Sequence, residues 1–149
     1  MNTYDLSGRV AVVTGGAQGI GLAVARRLAL SGARVAIWDM DLTRARACAA
    51  EIGGQAWQVD VSDTDAVAAL AQDMAQSMGP VGILVTSAGI AGSNGKVVEY
   101  SPVEWRQILD VNLTGTFNCC RAVLPQMQAQ GCSMVTRGRA FWSAYSAPM

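Results

Sequence analysis

The chain has 149 residues, of which 51% are hydrophobic and 15% charged, and its formal net charge at pH 7 is zero. This length suits one domain, and the apolar content is enough for a substantial core. Without an excess of either charge, the sequence gives no reason to expect a nucleic-acid or anionic-membrane partner. The chain has no histidine, which excludes Ser-His and Cys-His nucleophile pairs, and its four cysteines lack C-x-x-C spacing, so we expect no metal site.

The sequence also lacks the usual targeting signals. Residues 1–5 contain no basic region before an apolar run, and the apolar stretches of the chain are short and interrupted by glycine. We therefore expect neither a signal peptide nor a membrane-spanning segment. The cysteines are expected to be reduced, small apolar residues of a cytoplasmic protein.

Short β-branched runs alternate with amphipathic stretches along the first part of the chain. The runs predict strands at residues 10–13, 34–38, 56–59 and 81–85. The intervening stretches predict helices that begin at Gly19, at Leu42 and after an N-cap at Ser62; Ile20, Val24 and Leu28 give the first helix its apolar period. This alternation predicts an α/β fold, a Rossmann-like doubly wound parallel sheet with helices on both faces.

A glycine-containing loop at residues 90–100 leads into a helical region from residue 102 to about 130. Ser101 and Glu104 form a capping-box pattern around Pro102, which suits a first helical position. The predicted inner face of this region includes Ile108, Val111, Val123, Leu124 and Met127. Residues 134–136 could start a fifth strand, whereas residues 137–142 have no helix or strand period. We expect one domain over residues 1–149, with an irregular segment at 133–149 and a sheet incomplete on its C-terminal side.

A glycine-rich turn lies between the first strand and the first helix. Its sequence, T-G-G-A-Q-G-I-G at residues 14–21, has the pattern G-x-x-x-G-x-G. Glycines at these places allow a tight turn, a close approach of the backbone to a diphosphate, and close packing of the helix. The first amides of the helix would then face the phosphates. The residues predicted to bind the diphosphate here are Thr14, Gly15, Gln18, Gly19, Ile20 and Gly21.

Two acids follow the second and third strands. Asp39 could accept hydrogen bonds from the ribose hydroxyls of NAD and would repel the 2′-phosphate of NADP, although Arg44 nearby would weaken that discrimination. Asp60 could orient the adenine amino group, and Val61 could line the ring. The alternatives are a turn or cap aspartate at 39 and a helix-leading acid at 60.

The combination of T-G-x-x-x-G-x-G at 14–21, Asp39, D-V at 60–61, S-A-G at 87–89 and V-N-L-T-G-T-F at 111–117 resembles the classical short-chain dehydrogenase/reductase family. The similarity covers residues 6 to about 130. It implies an NAD(P)-dependent oxidoreductase that acts on a small-molecule secondary alcohol or ketone, such as a polyol, a sugar or a 3-oxoacyl thioester. It also implies that Ser87, Ala88 and Gly89 lie close to the cofactor and that the full-length family forms homo-oligomers, whereas the preference for NAD over NADP rests on Asp39.

The catalytic residues of the family carry over unevenly. The resemblance implies an Asn-Ser-Tyr-Lys group, in which Asn112 matches the asparagine and Tyr145 the acid/base tyrosine. Arg137, Gly138 and Arg139 occupy the place expected for the serine, and the lysine position holds Met149. Because a phenol of pKa about 10 needs a nearby cation to act as a base at neutral pH, Tyr145 could equally be an exposed tail aromatic.

Three functional hypotheses follow. The first is an oxidoreductase of this family, and the second is a truncated or frame-disrupted member that binds the dinucleotide without turnover. A third, an S-adenosylmethionine site of methyltransferase type, is disfavoured by the G-x-x-x-G-x-G spacing and by V-N-L-T-G.

Overall fold

Six strands form one sheet with the predicted winding. The computed structural model describes residues 4–131, 135–137 and 140–142, the last two segments with backbone only. The strands are β1 (Val10–Thr14), β2 (Arg34–Asp39), β3 (Gln55–Gln58), β4 (Val81–Thr86), β5 (Val135–Arg137) and β6 (Ala140–Trp142). Their order is β3-β2-β1-β4-β5-β6, and all neighbours are parallel except β5 and β6. This Rossmann-like order confirms the predicted fold class and puts the switch point between β1 and β4.

Helices cover both faces of this sheet. They are α1 (Gly19–Leu30), α2 (Leu42–Glu51), α3 (Thr64–Met78), α4 (Pro102–Leu109) and α5 (Gly115–Ala129), with a π-helical turn at Asp110–Thr114 and a 3-10 turn at Val97–Glu99. Because side chains alternate along a strand, β1 contributes Ala11 and Val13 to a core with α1 and α2, and Val10 and Val12 to a core with α3 and α5. No helix in the described part of the chain has the length and apolar character needed to cross a bilayer.

The apolar period of the first helix is confirmed in part: Val24 and Leu28 pack partly buried against the core shared with α2, but Ile20 does not. Ile20 is 63% exposed, and the buried residues of α1 are Gly21 and Ala25. A Cβ built on Gly21 would lie 2.3 Å from the carbonyl oxygen of Gly15. Small residues therefore face the sheet because the helix lies directly against the β1 turn, which turns Ile20 outwards.

Two predicted helix caps differ from those in the structure. Asp63, not Ser62, is the N-cap of α3, and its carboxylate accepts the backbone N–H groups of Asp65 and Ala66. The prediction for Ser62 is wrong because its hydroxyl donates to Asp60 instead.

The cap of α4 is formed by Ser101, as predicted, with Pro102 at the first position. The side chain of Ser101 accepts from Val103 N, but Glu104 does not reach back to Ser101. Its two carboxylate oxygens instead accept the backbone N–H and the hydroxyl of Ser93. The capping box is therefore half formed, because the preceding loop competes for the glutamate.

The predicted inner face of the last helical region is largely confirmed. Val123 and Met127 are fully buried, and Val111 and Leu124 pack partly against the same core. Ile108 instead lines a surface cavity.

The C-terminal strands correct one expectation. β5 lies parallel to β4 where the sequence indicates a fifth strand, but β6 pairs with it over residues that show no period. The prediction of a fifth strand is therefore confirmed at Val135–Arg137, and the prediction of an irregular segment is wrong for Ala140–Trp142. A three-residue strand is too short to display alternation, and its backbone pairing does not depend on side-chain pattern.

Candidate functional site

The β1–α1 turn is held tightly between the ends of two neighbouring strands. Gly15 has φ +62°, and its N–H donates to the carbonyl of Trp38 at 2.8 Å. A Cβ on Gly15 would lie 2.8 Å from the Cα of Ala88. Glycine is therefore required at this position by both conformation and space.

The outer part of the same turn borders open space. Gly19 has φ +54°, and no atom lies within 4 Å of a Cβ built on it. Gln18, the N-cap of α1, is extended and leaves its side chain outside the cap. The first backbone N–H groups of a helix have no partner within the helix, so the N-terminus of α1 presents N–H donors to this space. Ile20 is exposed on the same first turn.

Asp39 joins the end of β2 to the glycine-rich turn. Its Oδ2 accepts the N–H of Ala17 at 3.1 Å, and its Oδ1 accepts the N–H of Asp41 at 3.0 Å. The thiol of Cys48 on α2 donates to the carbonyl of Ala17, with a Sγ–O distance of 3.4 Å. Both polar backbone groups of Ala17 are thus held, which fixes the turn in one conformation.

Thr14 shapes the site from beneath. It is 1% exposed, and its Oγ1 accepts the N–H groups of Ser87 and Ala88, each at 3.1 Å. These bonds tie the end of β4 to the end of β1. The predicted contact of Thr14 with a cofactor stays a prediction; the contacts shown give Thr14 a positioning role, and Thr14 is not among the residues that line the groove.

Asp60 and Val61 form a turn after β3. The Oδ1 of Asp60 accepts the N–H of Ser62 at 2.9 Å and its hydroxyl at 2.7 Å. Val61 is 6% exposed and packs in the core shared with α3 and α5. The carboxylate is therefore oriented by its own turn and lies at the edge of the sheet.

These strand ends enclose a groove of about 220 Å³. The predicted residues in its lining are Gly15, Gln18, Asp39, Asp60, Val61, Ala88 and Gly89. The groove is also lined by Trp38, Met40, Val59, Ile90 and Val111, which the motif analysis did not assign to the site. Of these, Trp38, Met40 and Val59 lie within one residue of Asp39 or Asp60. Their proximity to these acids is the feature of the sequence from which they could have been assigned to the site.

Asn112 lies in the π-helical turn between α4 and α5. Its Oδ1 accepts the N–H of Ile90 at 2.8 Å, and its Nδ2 donates to the carbonyl of Ile90 at 2.9 Å. A Cβ on Gly89 would lie 3.1 Å from the same Oδ1. Asn112 therefore fixes the segment that follows β4. The π-helical turn places the side chain of Asn112 against this segment.

A second cavity, of about 670 Å³, lies on the other side of Ile90. Its lining is mostly apolar and includes Gly92, Tyr100, Trp105 and Ile108. Glu104 holds the adjoining loop through Ser93, so both ends of this loop segment are anchored. Its lining combines residues of the loop with Trp105 and Ile108 of α4, and no motif in the sequence indicates that this loop and this helix enclose a cavity.

Residues 9–147 match the sequence model of the family described as short chain dehydrogenase. The chain belongs to this family. The short-chain dehydrogenase assignment agrees with the glycine-rich turn, the acid after β2 and the groove at the switch point.

Named relatives and solved structures agree with this family. The chain is 44% identical over 126 residues to 2-dehydro-3-deoxy-L-rhamnonate dehydrogenase (NAD(+)) of Sphingomonas sp. (strain SKA58), covering 84% of this chain and 51% of the relative. It is 41% identical over 133 residues to D-threitol dehydrogenase of Mycolicibacterium smegmatis (strain ATCC 700084 / mc(2)155), covering 86% and 51%. A metagenomic short-chain oxidoreductase solved in complex with NADP superposes with a TM-score of 0.82 at 38% identity, covering 89% of this chain and 62% of that one.

The chain spans about half the length of these two curated relatives. Tyr145, Met149 and Arg139 lie outside the described residues, and Arg137 is described by its backbone, which pairs with Thr86.

The groove fits the adenosine diphosphate part of a nicotinamide dinucleotide. The space beside Gly19 would be filled by a side chain at that position, and the helix amides there suit a diphosphate. Asp39 offers carboxylate oxygens at the place where Rossmann folds read a ribose.

Proposed function

We propose that this chain supplies the dinucleotide-binding part of an NAD(P)-dependent oxidoreductase acting on a secondary alcohol or ketone. The supporting observation is the convergence of the glycine-rich turn, Asp39 and Asp60 on one groove at the switch point. When bound, the dinucleotide supplies hydride chemistry at C4 of its nicotinamide ring.

The residues of the groove bind and orient the dinucleotide. The amides at the start of α1, next to Gly19, would hold the diphosphate, and Asp39 would accept hydrogen bonds from the ribose hydroxyls. Asp60 and Val61 would contact the adenine. Ser87, Ala88 and Gly89, held by Thr14 and Asn112, would form the opposite wall.

Proton transfer is assigned to Tyr145, by resemblance to the family. Its phenol would donate a proton to a ketone oxygen or take one from an alcohol, and it needs a nearby cation because its ordinary pKa is about 10. Asn112 would support this step by keeping the turn after β4 in place. The two hydrogen bonds from its side chain to Ile90 support a positioning role.

The proposed cofactor preference is NAD over NADP. The carboxylate of Asp39 would repel a 2′-phosphate, which favours NAD. Arg44 lies close enough to hydrogen-bond Gln18 in the same turn and would reduce the discrimination. One relative is named as NAD(+)-dependent, and one solved neighbour holds NADP.

The carbon skeleton of the substrate is proposed to lie in the apolar cavity beside Ile90. The cavity adjoins the groove and falls within the size range of small-molecule sites. Its lining favours an apolar body over a fully hydroxylated chain, and comparison of cyclohexanol with threitol tests this preference.

Dinucleotide binding without turnover is the second candidate. The chain has Met149 where the resemblance implies a lysine, and Arg137 to Arg139 where it implies a serine. Titration with NADH, followed by assay with NAD and a panel of secondary alcohols, separates the two functions. Turnover that disappears in Tyr145→Phe supports the enzyme, whereas binding with zero turnover supports the binding module.

Self-association of the chain stays a prediction, which sedimentation equilibrium tests.

A further inference from the structure

Asn118 is the most deeply buried polar side chain near the groove that the proposed function does not use. It lies on α5, is 3% exposed, and hydrogen-bonds to the turn between β3 and α3 and to the first residue of α3. Burial of an amide in an apolar core is costly unless its hydrogen bonds are satisfied. The contacts it makes therefore indicate what this residue does.

The amide of Asn118 holds the turn that carries Asp60. Its Nδ2 donates to the carbonyl of Val61 at 3.0 Å and to that of Ser62 at 3.4 Å. Its Oδ1 accepts the hydroxyl of Thr64 at 3.1 Å. The carboxylate of Asp60 is in turn oriented by the N–H and hydroxyl of Ser62. A continuous chain of hydrogen bonds thus runs from α5 to Asp60.

Gly115 brings α5 close enough for these bonds. A Cβ on Gly115 would lie 2.5 Å from the Cγ2 of Val61, so a larger residue would push the helix away from the turn. Glycine is otherwise unfavourable within a helix, which makes this close approach the physical reason for its presence. Gly115 and Asn118 are one helical turn apart and face the same strand end.

We propose that Asn118 is a positioning residue that sets the Asp60 carboxylate to recognise the amino group of adenine. This inference rests on the proposed dinucleotide function and deepens it. The side chain itself would not touch the ligand: it fixes two carbonyls of the turn, and the turn aims Asp60 into the groove.

The test compares NADH with nicotinamide hypoxanthine dinucleotide (reduced form), which has a carbonyl oxygen in place of the adenine amino group. Wild type is expected to bind NADH more tightly by roughly 10-fold or more, as for a hydrogen bond to a charged group. Asn118→Leu and Asn118→Asp both remove the donor to the two carbonyls, and each should bring the ratio of the two dissociation constants to within about twofold. Gln128→Ala, an exposed change on the same helix, should keep the wild-type ratio.

The ratio separates positioning from general loss of structure, because a merely loosened fold would weaken both dinucleotides by the same factor. The proposal is overturned if folded Asn118 variants keep the wild-type ratio of the two dissociation constants, whether or not both dinucleotides bind more weakly. A wild-type ratio near one also overturns it. If the Asn118 variants fail to fold, Thr64→Val and Thr64→Ser provide the same comparison: only the valine should lower the ratio. Absence of NADH binding to folded wild type would instead refute the proposed function itself.

Discussion

The guanidinium of Arg44 donates through Nη1 to the side-chain carbonyl of Gln18, which ties helix α2 to the glycine-rich turn. Arg44 also lies 3.7 Å from the carboxylate of Asp41, at the exposed end of the same helix. Neither contact is deeply buried, so each is worth little to stability. The arrangement instead keeps a cation beside Gln18, which lines the groove together with Asp39, and a 2′-phosphate of NADP bound there would be within its influence.

Arg44→Ala should weaken NADPH binding more than NADH binding. We expect a loss of about 3- to 5-fold for NADPH, the upper part of the range for an exposed charge pair, and less than twofold for NADH. Arg46→Ala is the matched control, since it removes the same charge from an exposed position of α2. Fluorescence titrations at low and high salt measure both constants. Equal effects of the two variants on NADPH would show that Arg44 acts only through net charge.

Asp39→Ala should narrow the preference for NADH over NADPH. The variant removes the acceptor for the ribose hydroxyls and the carboxylate that would repel the 2′-phosphate. NADH binding is expected to weaken by about 10-fold, as for a charged hydrogen bond, while NADPH changes less. Asp73→Ala, an exposed acid on α3, controls for the charge change. A constant ratio of the two dissociation constants would mean that Asp39 does not contact the ribose.

The glycine-rich turn was predictable because its tight backbone geometry requires glycine at particular places. Gly15 and Gly19 have positive φ, and Gly21 packs against the carbonyl of Gly15, as their spacing after a strand suggests. The orientation of Ile20 was not predictable from its period, because the helix contacts the sheet through its smallest residues. Thr14 illustrates a related limit. A motif gives the location of a residue in the chain but not the direction in which its side chain lies.

Competition among neighbouring polar groups explains the remaining differences. Ser62 and Asp63 are both good N-caps, and the hydroxyl of Ser62 is taken by Asp60. The capping-box pattern would pair Glu104 with Ser101, but both of its carboxylate oxygens accept from Ser93 in the preceding loop instead. The first choice is made between polar groups only two residues apart, and the second depends on a loop 11 residues away, so neither is decided by a cap motif alone.

Asn112→Leu should release the chain after β4. The variant loses both hydrogen bonds to Ile90, so we expect hydrogen exchange at the Ile90 amide to rise by about 10-fold, the effect of one typical hydrogen bond. Exchange in the buried strand β1 should change little. Mass spectrometry of peptic peptides covering residues 88–93 measures the effect. Unchanged exchange there would show that other contacts hold this segment.

The stability of the chain should fall above pH 9 because of Cys119. Burial, and secondarily the neighbouring Cys120, raises the pKa of the Cys119 thiol from 9.0 to about 12. Between those values the unfolded chain loses the proton while the folded chain retains it, so the unfolded state is favoured as pH rises. The expected loss is on the order of 1 kcal/mol per pH unit over that window.

Urea unfolding at pH 8 and pH 10 under reducing conditions measures this effect. Cys119→Ala should be less stable at pH 8 but should lose less stability between the two pH values than wild type. Parallel losses in the two proteins would show that other groups cause the alkaline destabilisation.

The central claim, that the turn around Gly19 binds a diphosphate, is tested most directly by calorimetric titration of NADH into wild type, Gly19→Ala and Gly53→Ala. Gly19 and Gly53 both have positive φ and open space at the Cβ position, so alanine should strain both by roughly 1–2 kcal/mol. Gly19 directly follows Gln18 of the groove lining and is the first residue of α1, whereas Gly53 follows the C-terminal cap of α2. We expect saturable binding by wild type and Gly53→Ala, and affinity about 10-fold lower in Gly19→Ala, where the methyl group occupies the diphosphate space. Folded wild type without saturable binding, or equal affinity in the two variants, would contradict the claim.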